Sequence, residues 1–263
     1  MKRAAADPVL AAHHLDAGHG RTIVVRDLAL AIESRTVTAL VGPNGSGKST
    51  LLMTLARVLK AQGGEVLLDG EPIGRRSSVE VARRLGVLPQ TAVVPSGATV
   101  REVVEQGRYP QLGAWAMLRR HDDAAQRRAL ELTGLTALAD RRLDSLSGGE
   151  RQRAWIAMIL AQQTGVLLLD EPTTHLDVRH QIDLMVLVER LRDDHGLTVV
   201  MVLHDLNQAA RHADRIVALH DGVVRADGTP REVVTPAMLR EVFDIDAVVV
   251  DDPVTGRPIF VAR

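Results

Sequence analysis

Short, mostly aliphatic runs alternate with segments of helical periodicity along most of this chain. Runs of four to six such residues are typical of strands that are covered on both faces of a parallel sheet. The alternation with helices predicts an α/β fold with a largely parallel core sheet. We predict these strands at Thr36–Val41, Leu85–Leu88, Val166–Leu169, Thr198–Leu203 and Arg215–His220. The predicted helices are Lys48–Leu59, Asp122–Thr133, Gly149–Gln163, His180–Asp194 and Asn207–His212.

Three further segments depart from this alternation. A short strand at Glu65–Leu68 runs into Asp69-Gly70, a pair that is typical of a tight turn. Prolines and glycines interrupt the pattern over 92–113, which we interpret as part of an inserted, more helical subdomain spanning about residues 89–160. Near the C-terminus, Ala247–Val250 and Pro258–Val261 predict a late pair of strands.

Composition excludes several classes of protein. The chain has 263 residues, of which 46% are apolar and 25% charged, which is an ordinary globular balance. It has no cysteine, so disulfide frameworks, thiolate metal sites and cysteine nucleophiles are excluded. A net charge of -1 predicts no general attraction to nucleic acid. The longest apolar run, Ala154–Ala161, is far shorter than the roughly 20 residues of a membrane-spanning helix, so we expect no bilayer crossing.

A glycine-rich sequence between a predicted strand and a predicted helix has the pattern of a phosphate-binding loop. Glycines permit backbone conformations in which successive N–H groups point at a phosphate, and the N-terminus of the next helix adds positive charge. Lys48 would place its ammonium on the β- and γ-phosphates, and the Ser49 hydroxyl would bind Mg²⁺. The alternative, a glycine-rich turn before a lysine, fits this strand–loop–helix context poorly. The loop reads Gly42-Pro43-Asn44-Gly45-Ser46-Gly47-Lys48-Ser49-Thr50.

Two acidic residues follow the predicted strand Val166–Leu169. Asp170, at the end of that strand, is suited to hold Mg²⁺ through water. Glu171 is then placed to polarise an attacking water as general base. Taken alone, the segment also fits a strand followed by a solvated acidic turn, and the phosphate loop favours the catalytic interpretation.

The sequence Leu146-Ser147-Gly148-Gly149-Glu150-Arg151-Gln152 precedes another predicted helix. By itself, Ser147 with Glu150 three residues later predicts an N-terminal capping box. Together with the phosphate loop and the acidic strand end, this sequence closely resembles the nucleotide-binding subunit of ATP-binding cassette (ABC) transporters over about residues 15–240. The resemblance implies a P-loop NTPase cassette at 8–240, with a RecA-like core sheet, an N-terminal antiparallel β part and the helical subdomain. Residues 241–263 would be a C-terminal extension packed on the cassette.

The same resemblance implies roles for further residues. Gln90 matches the glutamine that senses Mg²⁺ and links to the transmembrane subunits, and the segment from Gln90 to Tyr109 is the expected contact with them. An ordinary surface loop is the alternative for that segment. Asp177 matches the loop that signals between two nucleotide sites, and His204 matches the histidine that contacts the γ-phosphate, a catalytic position beside Glu171.

The family pairs two copies head to tail on ATP and Mg²⁺. The resemblance therefore implies that the phosphate loop of one copy and the Ser147–Glu150 segment of the other (Ser147, Gly148, Gly149 and Glu150) close on one ATP. A second helix N-terminus would then meet the γ-phosphate from the opposite side. In the closed pair, the charge that would repel in an open site is shared by Lys48, Mg²⁺ and two helix ends. Hydrolysis would restore that repulsion and open the pair, and the opening would move a bound transmembrane partner.

One position departs from the family pattern. The family usually carries an upstream aromatic residue that stacks on adenine, and here Gly18 occupies that position with His19 beside it. No Phe, Tyr or Trp precedes Tyr109. We expect adenine stacking to be weakened or performed by an imidazole, and a Gly18→Tyr substitution to tighten ATP binding.

The wording of several motifs resembles the importer group for iron-siderophores, haem and cobalamin. An importer ATPase for iron-siderophores is the leading interpretation, with haem, cobalamin, or manganese and zinc as alternatives. It would work with separate permease subunits and, indirectly, a substrate-binding lipoprotein or periplasmic protein, on the cytoplasmic face of the cell membrane. The motifs are Gly107-Arg108-Tyr109-Pro110, the run from Pro172 to Asp177, the run from Leu203 to Ala209, and Asp252-Pro253-Val254-Thr255-Gly256.

Two other classes are less consistent with the sequence. A soluble cassette ATPase acting on ribosomes or DNA would carry two cassettes, a long coiled coil or a basic face, and none of these is indicated. A P-loop kinase for a small molecule would not need the Ser147–Glu150 segment or His204.

Overall fold

The computed structural model describes residues 8–90, 97–113 and 124–263, which belong to two compact units. The first unit combines the chain up to Arg76 with Leu197–Arg263, and the second is Ser77–Gly196. Part of the segment predicted to contact the permease, 91–96, lies outside the described residues, as does the predicted start of the helix at Asp122.

Helices separate the predicted core strands from one another, as the apolar pattern predicts, whereas several other strands follow one another directly. The described strands are β1 (Leu10–His19), β2 (Thr22–Ile32), β3 (Val37–Val41), β4 (Gly63–Leu68), β5 (Glu71–Pro72), β6 (Leu85–Leu88), β7 (Val166–Leu169), β8 (Thr198–Val202), β9 (Arg215–His220), β10 (Val223–Gly228), β11 (Ala247–Asp251) and β12 (Pro258–Ala262). The described α-helices are α1 (Lys48–Leu55), α2 (Ser78–Ala82), α3 (Val100–Gln106), α4 (Tyr109–Leu112), α5 (Ala124–Leu132), α6 (Gly148–Ala161), α7 (Val178–Asp193), α8 (Leu206–His212), α9 (Pro230–Val233) and α10 (Pro236–Phe243). Short 3₁₀ turns lie at Ile73–Arg75, Thr136–Leu138 and Leu143–Ser145.

The first unit contains an antiparallel sheet in the order β2-β1-β4-β5. Asp69 and Gly70 join β4 to β5 with φ of 52° and 77°. Positive φ at both central residues is the geometry of a two-residue hairpin turn, which confirms the predicted turn.

The core of the first unit is a second sheet in which β3 lies between β8 and β9 and runs parallel to both. All residues of β3 and β8 are buried, which explains their uninterrupted apolar sequences. The backbone N–H of Leu203 donates to the carbonyl of Leu40 at 3.1 Å, so the two strands end together. The segments that follow β3 and β8 therefore start from one edge of this sheet.

The second unit pairs β6 with β7 in parallel, with Leu85 opposite Val166 and Leu88 opposite Leu169. Helices α3 and α5 pack against α6, which also contacts β6. Four of the described helices, α3 to α6, lie within or across the predicted helical range of 89–160. The compact unit is wider than that range because it also holds the two strands and α7, and the narrower boundaries remain a prediction.

Helix α1 ends four residues earlier than its apolar sequence predicts. Arg57 adopts φ of 57°, its N–H donates to Thr54, and the N–H of Val58 donates to Met53 at 2.9 Å. This is a Schellman termination, with Arg57 at the left-handed position. The apolar Val58 that extended the predicted helix is exposed.

The late strand pair is confirmed as the antiparallel hairpin β11–β12. Asn207 of α8 binds the backbone of Phe260 through both amide atoms, donating to its carbonyl at 3.2 Å and accepting from its N–H at 2.9 Å. The Arg257 guanidinium also donates to the carbonyl of Ala210 at 3.3 Å. The hairpin therefore packs on α8. Across the described residues, no helix is long and apolar enough to cross a membrane.

Candidate nucleotide site

Three glycines shape the loop between β3 and α1. Gly42, Gly45 and Gly47 have φ of 148°, 79° and 98°, a region that favours glycine. A Cβ on Gly42 would also lie 2.1 Å from the carbonyl oxygen of Leu219, which is too close for any side chain. Because Gly47 is the N-cap residue of α1, no side chain caps the positive end of that helix.

Lys48 holds its ammonium inside the curve of this loop. Its Nζ donates to the carbonyls of Gly42 and Pro43 at 2.9 and 2.8 Å, and to Oγ of Ser46 at 3.4 Å. The residue is only 5% exposed. The positive charge is therefore fixed where the loop and the N-terminus of α1 converge, which is the arrangement that binds phosphate groups.

His204 leaves the same sheet edge as the phosphate loop, within the first unit. It is exposed and lies two residues after β8, while the loop directly follows β3. Asp205 caps α8 by accepting the N–H of Gln208 at 3.0 Å, which fixes the direction of the chain just after His204. The predicted contact of His204 with the γ-phosphate remains a prediction.

In the second unit, Gln90 and Glu171 meet where β6 and β7 end. Nε2 of Gln90 donates to Oε2 of Glu171 at 2.6 Å, and Oγ1 of Thr174 donates to the same oxygen at 3.1 Å. Glu171 adopts φ of 49°, which turns the chain sharply after Asp170. Two donors thus orient the carboxylate that we predict to act as general base.

Asp170 is 4% exposed, and its N–H donates to the carbonyl of Leu88 at 2.9 Å, continuing the β6–β7 ladder. Since the Gln90 amide directs Nε2 at a carboxylate, its Oε1 is left as an acceptor. Asp170 and Gln90 therefore offer oxygen atoms, the ligands that Mg²⁺ prefers.

The predicted capping box of α6 is confirmed. Oε2 of Glu150 accepts the N–H and the hydroxyl of Ser147, both at 2.9 Å, while Oγ of Ser147 accepts the N–H of Glu150 at 3.3 Å. The two bonds from Ser147 hold the pKa of the Glu150 carboxyl below its usual value. The Ser147–Glu150 segment is thus the N-terminus of a 14-residue helix.

Asp177 caps the next helix, α7. Its Oδ1 accepts the backbone N–H of His180 at 2.9 Å and Nδ1 of the same residue at 2.8 Å. The backbone N–H is the larger cause that lowers the pKa of the Asp177 carboxyl, and the imidazole adds to it.

A cavity of about 490 Å³ in the second unit is bounded by these segments together. It joins Gln90 and Glu171 to the start of α6 and to the loop before Asp177. The structure therefore brings three of the second unit's predicted residues, Gln90, Gly148 and Glu171, around one space. Lys48 and His204 belong to the first unit. The lining residues are Leu88, Pro89, Gln90, Gly148, Arg151, Gln152, Trp155, Glu171, Thr174, His175 and Leu176.

The expectation that Gly18→Tyr would tighten ATP binding was wrong. Gly18 lies opposite Ile23 at a register irregularity between β1 and β2, and a Cβ there would lie 1.9 Å from the carbonyl oxygen of Thr22. No side chain fits, so Gly18→Tyr would disrupt the hairpin instead of supplying a ring to adenine. The neighbouring His19 is exposed, and its Nε2 lies 3.3 Å from Oγ1 of Thr50, beside the phosphate loop.

Sequence reasoning did not single out Thr174 or His180. Thr174 lies three residues after Glu171, a distance that suits a turn. His180 is the third residue after the helix-capping Asp177, and that spacing was the available signal.

Comparisons with known proteins identify the family of this chain. The family described as ABC transporter matches residues 25–174. The chain is 47% identical over 252 residues to the ferric enterobactin transport ATP-binding protein FepC of Escherichia coli (strain K12), covering 96% of this chain and 93% of FepC. It is 45% identical over 250 residues to the iron(3+)-hydroxamate import ATP-binding protein FhuC of Bacillus subtilis (strain 168), covering 95% and 93%.

The dimeric structure of the bacterial ABC transporter cassette MJ0796 superposes with a TM-score of 0.70 at 28% identity, covering 84% of this chain and 98% of that one. This chain belongs to the ABC transporter family: it is an ATP-binding cassette and an ATPase.

Proposed function

We propose that this chain is the ATP-hydrolysing subunit of a prokaryotic importer for iron-siderophore substrates, with the permease supplied by separate subunits. The observation that carries the proposal is the near full-length similarity to FepC and FhuC, whose names specify ferric enterobactin and iron(3+)-hydroxamate. The transported substrate does not touch a cassette, so relatedness, and not a pocket in this chain, supports the choice of substrate.

Residues of the first unit would bind the phosphates of ATP, and residues of the second unit would activate the attacking water. Lys48 and the N-terminus of α1 bind the β- and γ-phosphates, and His204 contacts the γ-phosphate. Glu171 accepts a proton from the attacking water while Gln90 and Thr174 hold its carboxylate in place.

The donor chemistry fits Mg²⁺. Ser49, Asp170 and Gln90 offer a hydroxyl, a carboxylate and an amide oxygen, and Mg²⁺ needs few protein ligands when phosphates and waters complete its shell. When bound with ATP, Mg²⁺ neutralises charge on the phosphate oxygens.

We further propose that two copies pair head to tail. The dimeric cassette with which this chain superposes supports the pairing, and the family resemblance implies its head-to-tail arrangement. The N-terminus of α6 in one copy would then approach the ATP held by the phosphate loop of the other, adding a second positive helix end. The assembly would lie peripherally on the cytoplasmic face of the cell membrane, with a substrate-binding lipoprotein or periplasmic protein outside and no role for nucleic acid.

For the permease contact, we propose the predicted segment from Gln90 to Tyr109 together with the surface formed by α2 and by α4, the helix that begins at Tyr109. Val79, Tyr109 and Leu112 are exposed there, and Nε of Arg83 joins the two helices by donating to the carbonyl of Pro110 at 2.8 Å. Exposed apolar side chains on a connected surface are typical of an interaction site.

Growth on defined iron sources tests the proposal. After deletion of the gene, we expect growth to be lost on a ferric siderophore as the sole iron source and restored by the wild-type chain. Glu171→Gln should not restore it, whereas Glu131→Gln, an exposed carboxylate on α5, should. Loss of haem, cobalamin, or manganese and zinc uptake with normal growth on every ferric siderophore would instead assign one of those substrates.

A further inference from the structure

We infer that His180 is a positioning residue that joins the loop ending at Asp177 to the N-terminus of α6, so that both segments keep one orientation when two copies pair. This inference rests on the proposed function, since it concerns the surface that the second copy meets. A single imidazole is hydrogen-bonded to Asp177 and packed on Gly149.

The first link is the bond to Asp177. Nδ1 of His180 lies 2.8 Å from Oδ1 of Asp177, and because an ionised carboxylate only accepts, Nδ1 is the donor of this bond. The backbone N–H of His180 donates to the same oxygen at 2.9 Å. The helix cap therefore survives any substitution that keeps this backbone N–H, and only the ring's position depends on the imidazole bond.

The second link is the packing of the ring on α6. A Cβ on Gly149 would lie 2.2 Å from Cδ2, 2.4 Å from Cγ and 2.8 Å from Nε2 of His180. The ring thus occupies the space that any side chain at Gly149 would need. The backbone also runs close by, because a Cβ on Gly148 would lie 3.8 Å from the carbonyl oxygen of His175. The two glycines form the surface on which this loop and its imidazole lie.

Together, the hydrogen bond to Asp177 and the packing on Gly149 couple the position of the loop to that of α6. The N-terminus of α6 cannot rotate without displacing the ring, and the ring cannot move without losing its bond to Asp177. The capping box of Ser147 and Glu150 lies at the same helix end, so the orientation of the Ser147–Glu150 segment is fixed with the loop. Pre-orienting both segments lowers the cost of closing two copies on ATP.

Three substitutions separate the two links. His180→Ala removes both, His180→Asn keeps a side-chain N–H for Asp177 but removes the ring from Gly149, and His180→Phe keeps a ring but removes the donor. Arg179→Ala, at the exposed neighbouring position, is the matched control. Each is made in the wild-type chain for ATPase kinetics and in a Glu171→Gln chain for ATP-dependent dimerisation, measured by light scattering.

For His180→Ala we expect kcat to fall about tenfold or more, since misplaced groups cost this much, and dimerisation to need more ATP. The Kd of monomer for ATP should stay unchanged, because the phosphate loop lies in the other unit. Amides 149–152 should lose hydrogen-exchange protection. His180→Asn and His180→Phe should each fall between wild type and His180→Ala.

A merely structural role would lower the melting temperature and leave kcat, dimerisation and exchange at 149–152 as in wild type. That result, or wild-type values in His180→Ala, would overturn the inference; if His180→Ala does not fold, the same criteria apply to His180→Asn. If the wild-type chain with its permease neither hydrolyses ATP nor pairs, the proposed function fails instead, so the two failures are distinguishable.

Discussion

Nε2 of Gln90 donates a 2.6 Å hydrogen bond to Oε2 of Glu171, although the two residues are 81 positions apart. The bond exists because β6 and β7 run parallel and end together, so the residues just beyond them share one edge. The segment implied to reach the permease thus holds the carboxylate implied to activate water. If the permease moves Gln90, as the family resemblance implies, Glu171 would be reoriented, and this one contact would link transport to hydrolysis.

Glu171→Gln should slow ATP hydrolysis by about 10² to 10⁴ and leave ATP binding intact, because an amide cannot accept a proton from water. The variant should also accumulate the ATP-bound dimer. Steady-state ATPase assays and light scattering check both expectations. A fully active, monomeric Glu171→Gln chain would refute the general-base role.

Gln90→Leu should lower kcat by less than Glu171→Gln does, because Thr174 still donates to the carboxylate. Adding Thr174→Val should lower kcat further by releasing the second donor. Steady-state ATPase assays of Gln90→Leu, of the double variant and of Glu171→Gln measure the three kcat values, and their order checks this prediction. Equal kcat in wild type and in the double variant would mean that neither donor orients Glu171.

Lys48→Ala should raise the Kd for ATP at least about tenfold, since it removes the ammonium fixed inside the phosphate loop. Lys60→Ala is the matched control, because Lys60 is exposed outside the loop. Binding of a fluorescent ATP analogue measures both. Equal Kd values for the two variants would contradict the phosphate assignment.

Gly18→Ala should lower the free energy of unfolding by about 1–3 kcal/mol, because even a methyl group meets the carbonyl of Thr22. Gly74→Ala is the control, since nothing lies near a Cβ at Gly74 and its φ is not in the left-handed region. Urea unfolding of both variants gives the comparison. If Gly18→Ala is as stable as wild type, the hairpin has more room than the structure gives it.

The Arg108 guanidinium, 7% exposed, donates to the carbonyl of Ala161 at 2.8 Å and to Oε1 of Gln163 at 2.9 Å, at the C-terminus of α6. Arg108→Met should cost about 2–3 kcal/mol of stability, because it leaves the buried carbonyl of Ala161 without this donor and removes a cation from a helix C-terminus. Arg225→Met, at an exposed position on β10, should cost little. Denaturant unfolding of both variants measures the two costs. If Arg108→Met is as stable as Arg225→Met, Arg108 does not stabilise the C-terminus of α6.

The sequence predicted those parts that short-range chemistry determines. The turn at Asp69-Gly70 and the capping box of Ser147 and Glu150 depend on residues at most three apart. Buried parallel strands such as β6 and β7 follow from aliphatic runs. The bond between Gln90 and Glu171 was not predicted, because it depends on which strands are neighbours.

Other features of the structure depend on how much room surrounds a residue in the folded chain, which the sequence does not show. In the sequence, Gly18 occupies the position where the family usually has an aromatic residue. In the structure, the carbonyl oxygen of Thr22 fills the space that a Cβ at this position would need. The Gly107-Arg108 pair belongs to a motif that resembles the importer group, and the sequence did not show its structural role. Gly107 leaves no room for a Cβ beside the carbonyl of Met158, and Arg108 caps α6. These two residues hold the far end of the helix that starts at the Ser147–Glu150 segment.

Stability should also fall at acid pH through the Glu150 cap. Because the folded state lowers the pKa of this carboxyl below its ordinary value of 4.5, the unfolded chain binds more protons, and stability rises with pH through this range. The contribution of this carboxyl to stability is therefore fully present above pH 4.5 and is lost as the pH falls through the lower pKa of the folded state.

Glu150→Gln has no carboxyl to titrate at this position, so its unfolding midpoint in urea should depend less on pH between about 3 and 5 than that of wild type. Glu131→Gln, on an exposed face of α5, is the control that should keep the wild-type slope. Parallel slopes for wild type and Glu150→Gln would mean that the capping box contributes nothing to the acid sensitivity of the fold.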